Sequence, residues 1–141
     1  MKKRVVIALM LVVLLLVACA PKTTSPEDKA KFCADLQVFY EDLQKLISLG
    51  ADAPNEDLKA AYSTAAASFH TLQQDGKNMS EPEVEAFFEA ASGLNTALDY
   101  YVSNPNPDPA SKAQALASLQ QQAELFKEAY QDLTQTVCPA P

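Results

Sequence analysis

The sequence predicts an all-α fold, an up-down-up-down four-helix bundle, and three observations carry that prediction. Apolar residues recur at spacings of three and four along most of the chain, the period of a one-faced helix. Glycine, proline and asparagine clusters cut this pattern into four segments. The connections between segments are short, which favours antiparallel neighbours. Beyond the first residues the chain is about 120 residues long, the size of one ordinary domain with a single core.

The first helix is expected over 26–49. Ser25-Pro26-Glu27-Asp28 supplies a capping serine, proline at the first helical position and acids in the first turn. Phe32, Leu36, Phe39, Tyr40, Leu43, Leu46 and Ile47 form its apolar stripe, and Gly50 ends it. The second helix, 55–75, carries Leu58, Tyr62, Ala65, Phe69 and Leu72. Asp52 or Asn55 is its candidate cap, and Asp75-Gly76 its stop.

Ser80-Glu81-Pro82-Glu83 reads as a capping box, with the glutamate three residues after the serine, and opens a third helix over 81–103. Val84, Phe87, Phe88, Ala91, Leu94, Leu98 and Tyr101 are its stripe. Asn104-Pro105-Asn106-Pro107-Asp108-Pro109 then breaks the helix, because a residue preceding proline avoids helical geometry. Asp108 caps a fourth helix over 109–137, whose stripe is Leu116, Leu119, Ala123, Phe126, Tyr130, Leu133 and Val137. Pro139 forbids continuation into the 139–141 tail.

The N-terminus has a different character. Lys2-Lys3-Arg4, an apolar run from Val5 to Val17 and the small Ala18 match a secretory signal over 1–18. The run is short for a spanning helix, which needs about 20 apolar residues. Leu16-Val17-Ala18-Cys19 resembles a bacterial lipobox, the signature of bacterial lipoproteins. That resemblance implies cleavage before Cys19, a diacylglycerol on its sulfur and, often, acylation of the freed amine. Two or more acyl chains hold a protein stably on a membrane. Ala20 in place of Asp resembles outer-membrane sorting in two-membrane cells. The expected location is therefore the outer face of a cytoplasmic membrane, or an outer membrane, of a bacterial envelope. Residues 19–25 form a short tether.

Of the three cysteines, lipidation would occupy Cys19 and leave Cys33 and Cys138 as one pair in a compartment where disulfides persist. Two unpaired buried thiols are the alternative. The predicted topology allows the bridge. With an even number of antiparallel helices, the start of the first and the end of the last share one end of the bundle. An odd number would separate them by tens of ångströms at about 1.5 Å per residue, beyond the roughly 7 Å limit between bridged Cα atoms. Phe32-Cys33 near the start of one helix and Cys138 closing another resemble small bacterial lipoproteins and secreted helical proteins bracketed by two cysteines.

Losing Lys2, Lys3 and Arg4 with the signal takes the formal charge from −7 to −10 and leaves no arginine. Eight dispersed lysines among eighteen acids argue against nucleic acid as a partner and against binding of the bundle to anionic lipid surfaces. The membrane is a partner through the lipid alone.

Catalytic constellations have little support. His70 is the single histidine, beside Phe69 and so expected at the edge of the buried face. Residue 67 is alanine, which rules out the Glu-x-x-His pair of di-iron bundles, and one ligand does not make a metal site. Met79 reads as an ordinary turn methionine. Glu81, Glu83, Glu85 and Glu89 complement the dipole of the third helix and lack the spacing of a calcium loop. Asp35 and Asp99 read as solvated edges. No Gly-x-Ser-x-Gly elbow or glycine-rich phosphate loop occurs.

Ala65-Ala66-Ala67-Ser68 and Ala90-Ala91-Ser92-Gly93 read as places where helices approach closely. The alternative is a cavity between the second, third and fourth helices, walled by Phe69, Phe87, Phe88 and Phe126. The expectation is a non-enzymatic binding or interaction protein of the envelope, with no catalytic, cofactor or metal residues and with an envelope protein as its candidate partner. A carrier or sensor of a small apolar ligand held between the helices is the alternative.

Overall fold

A computed structural model describes residues 23–50, 53–104 and 108–139; the signal, Cys19 and the rest of residues 1–22 lie outside them. Among the described residues four helices follow one another: α1 (Pro26–Leu49), α2 (Asn55–Gly76), α3 (Pro82–Ser103) and α4 (Pro109–Thr136). No strand occurs among the described residues.

The helix ends show which local signals decide a boundary. Ser25 caps α1, its Oγ accepting from the Asp28 amide, with proline at the first helical position. Asp108 caps α4 in the same way, accepting from the amides of Ala110 and Ser111. Gly50 takes a positive φ of 73°, open to glycine at no steric cost, and ends α1.

Two expected devices are different. Ser80 does not cap α3: the helix starts after Glu81, without a side-chain cap. The Ser80 amide instead donates to Thr24 Oγ1 at 3.0 Å and to Glu81 Oε2 at 2.9 Å. A distant threonine has displaced the local capping box. Gly76, expected as a stop, is the last residue of α2 and has no positive φ. A Cβ there would collide with the ring of Phe88, so this glycine makes room for α3. Asn55 opens α2 after Pro54, and no side chain caps that helix; Asp52 lies outside the described residues.

The core forms where the four stripes meet. Phe39 of α1 is its hub: its ring lies 5.2 Å from Phe69 of α2, 6.4 Å from Phe87 of α3 and 6.1 Å from Phe126 of α4, centroid to centroid. One side chain thus touches every other helix, within the range where aromatic pairs attract beyond simple burial. Below it Phe32, Leu36, Leu72, Phe87, Leu133 and Val137 are shut off from solvent.

Cys33 and Cys138 are disulfide-bonded, with Cα atoms 5.6 Å apart, so the first helix is joined to the residues just after the last. Around this bridge the same end of the bundle carries a polar clamp. Thr24 Oγ1 donates to Glu81 Oε2 at 2.6 Å, tying the segment before α1 to the start of α3. Burial pushes the Glu81 carboxyl up, but the hydrogen bonds from Thr24 and the Ser80 amide outweigh it and hold the group below its ordinary value. Lys31 of α1 bonds Asp75 at the end of α2 and, at 3.3 Å, Asp35 of α1.

Helix spacing divides the molecule into two hairpins. Backbone approaches within 8 Å join α1 to α2, α3 to α4 and, less extensively, α2 to α3. No Cα of α1 lies that near a Cα of α4. The fourth seam is therefore spanned by side chains, and by the bridge at one end.

Candidate functional site

That wide seam forms a groove. Tyr40 of α1 and Tyr130 of α4 meet across it with ring centroids 4.4 Å apart and planes 11° from parallel, and Phe126 backs Tyr130 at 6.0 Å. Burial, and then the neighbouring Tyr40, push the Tyr130 hydroxyl above its ordinary pKa. The stacked pair divides the groove in two.

On the bridge side lies a recess of about 900 Å³, lined by the disulfide, Gln37, Glu41, Thr134 and Gln135 among others. On the other side, toward the Gly50 turn, lies a recess of about 510 Å³ whose walls are Leu43, Ile47, Leu94, Leu98, Leu119 and Phe126. Gln44, Gln120, Gln131 and Lys127 stand with them in this lining. Its volume falls within the range of about 300–1,000 Å³ usual for small-molecule clefts, and apolar walls with a few polar groups are the usual lining.

The recess exists because α4 is thin where α1 and α3 are bulky. Ala123 occupies the stripe of α4 between Leu119 and Phe126, and it is exposed. Ile47, expected in the core stripe of α1, is 57% exposed for the same reason: it lies along the groove with no α4 side chain to cover it. Leu98 and Leu119 are half-buried in the walls.

The small-residue stretches of α2 and α3 hold no comparable space. Near Ala65, Ala91 and Asn95 there is a crevice of about 10 Å³, no more than one water requires. Ala65 and Ala91 are buried, and a Cβ on Gly93 would run into the side chain of Gln122. Close approach is what these residues provide. Of the aromatic residues expected around a cavity, Phe126 lines the groove, whereas Phe69, Phe87 and Phe88 pack on one another and on α1.

The remaining candidate residues are scattered. His70 is exposed rather than at the edge of the buried face, with Nε2 3.4 Å from Gln74 Nε2. Met79 is buried in the core. Glu85 and Glu89 are exposed on α3, Glu83 is half-buried there, and Glu81 is engaged in the clamp. Asp99 of α3 faces Tyr62 of α2; burial and then that carboxylate raise the tyrosine's pKa. Asp35 is drawn into a carboxyl pair. Its hydrogen bond with Asp75 raises its pKa, while the same bond, followed by Lys31, lowers that of Asp75. No group of three or more His, Cys, Asp or Glu side chains among the described residues is arranged to hold a metal ion.

Sequence reasoning missed the groove and named none of Gln44, Gln120, Lys127 or Gln131. The available signal was Ala123, a methyl-sized residue in a stripe whose other members are mostly large.

No family model matches the chain, and no curated protein or solved structure matches it either.

Proposed function

We propose that the chain is a non-enzymatic binding protein of a bacterial envelope, held at its membrane by a lipid on Cys19, and that it takes a small apolar ligand in the groove between α1 and α4. The observation that supports this reading most is the contrast among the seams: three are closed by backbone approach and one is open and apolar-walled. Apolar surface left in water forgoes about 25 cal/mol per Å². Proteins expose such concave surface where something binds.

The tether from Cys19 to Pro26 would reach about 20 Å at full stretch, keeping the bridged end toward the membrane and the groove free above it. A protein partner seated over the groove is the second reading, favoured by Ile47 and Leu49, which are exposed at the tip of α1.

The deciding experiment is native mass spectrometry of the full-length protein released from its own membrane. The expected mass carries acyl chains and a further small molecule, and Ala123→Trp, which fills the groove from an exposed position, loses the small molecule while keeping the acyl chains. A lipidated wild-type mass with nothing bound overturns the ligand reading and favours the protein partner. An unlipidated mass overturns the anchor. Helix content and melting temperature of Ala123→Trp, expected to be unchanged, show that the fold survives.

A further inference from the structure

We infer that the ligand is a single-chain fatty acid, its alkyl chain lying between α1 and α4 and its carboxylate beside Lys127; this inference rests on the groove reading above. Three observations carry it. First, Lys127 is the one charged residue among the described residues that line the upper recess, on a chain with 18 acids and 11 basic residues. The overall field of such a chain repels anions, so a cation in the lining of an apolar groove supplies local complementarity for an anionic head group.

Second, that ammonium is available. Its ion pair with Glu124 is long, 3.8 Å, and both side chains are mostly exposed, the regime in which a pair is worth little and exchanges readily. The amides of Gln44, Gln120 and Gln131 stand in the same lining as further hydrogen-bond donors.

Third, the shape suits one flexible chain. From Leu119 to Tyr130 the α4 wall runs about 16 Å at 1.5 Å per residue. The Tyr40–Tyr130 stack closes one end, and Lys127 stands one turn from it. Apart from the Phe126 ring, the remaining apolar wall is aliphatic: Leu43 and Ile47 on one side, Leu94, Leu98 and Leu119 on the other. The tyrosine rings are stacked on each other, which leaves five branched aliphatic side chains and the Phe126 ring to meet an alkyl chain. About 510 Å³ accommodates one such chain rather than the paired chains of a membrane phospholipid.

The test is photolabelling of the full-length protein in its own membranes with tetradecanoic acid carrying a diazirine, with unmodified tetradecanoic acid and tetradecan-1-ol as competitors. The label is expected on α4 between Leu119 and Gln131 and on α1 between Tyr40 and Ile47. The acid should compete about fivefold better than the alcohol, the scale of one exposed ion pair, and added salt should shrink that margin. Lys127→Gln should abolish the preference while labelling stays in the groove. Ala123→Trp, or Gln120→Trp should the first variant not fold, should remove the labelling. Groove labelling with equal competition by acid and alcohol, unaltered by Lys127→Gln, overturns the fatty-acid inference and leaves the groove reading standing. Labelling that avoids the groove or ignores the blocking tryptophans overturns both.

Discussion

The two ends of this bundle are held by different means. At the end where α1 begins and α4 finishes, the disulfide, the Thr24–Glu81 clamp and the Lys31–Asp75 pair converge on a dry layer that includes Phe32, Leu72, Leu133 and Val137. Toward the Gly50 turn no bridge joins α1 to α4, Ile47 and Leu49 face solvent, and the groove beyond the Tyr40–Tyr130 stack is walled mainly by apolar side chains. Covalent and polar ties gather at one end, and the more apolar of the two recesses lies toward the other. A covalent bridge holds α1 and the residues after α4 in register at one end, whereas at the other only side chains span the seam.

The largest expected effect comes from Phe32→Ala. This ring is 0% exposed beside the bridge, and truncating such a residue costs about 3–5 kcal/mol, readable as a large fall in the denaturant midpoint. An effect near zero would mean that the bridged end is not the stable one. Next, Cys33→Ser, Cys138→Ser and the double variant should each lose the same amount, about 2–4 kcal/mol, because either single change already breaks the bond. Additive losses in thermal melts would show that the two sulfurs act separately.

Acid should loosen the clamp. The folded-state pKa of Glu81 lies below its unfolded value, so its contribution is fully present above the unfolded pKa and is lost as pH falls through the folded one. Glu81→Gln should flatten that part of the acid limb in a pH series of melting temperatures. The smallest effect belongs to Ile47→Ser. At 57% exposure it should change stability by no more than about 0.5 kcal/mol, and amide exchange in the last turns of α1 should already be faster than around Cys33. A loss of several kcal/mol would show that the open end is packed after all.

The helices were legible because their signals are local. Ser25 and Asp108 sit immediately before a proline and cap the helix that follows, and the stripe of Phe32, Leu36, Phe39 and Leu43 keeps its period whatever surrounds it. Topology, too, was readable from short connections and from where two cysteines would fall along antiparallel helices. Ser80 differs from its expected capping role because Thr24, distant in sequence, engages its amide, and Gly76, where α2 does stop, owes its place to Phe88 rather than to a left-handed cap. The groove was missed for a related reason. Periodicity reports which face of a helix is apolar; it does not report how far away the facing helix stands, and at Ile47 and Ala123 that distance decides between core and surface.

The bridge also defines a load path. Its cysteines are 105 positions apart in sequence yet adjacent in space, so tension applied through the flanks of the bundle runs from the residues before Cys33 straight across the sulfurs to Pro139. The enclosed loop, roughly 350 Å of chain if drawn out at about 3.4 Å per residue, carries none of it. A pulling experiment should therefore record the unravelling of α1 ahead of Cys33 and then an inextensible tether, with the long extension appearing after reduction.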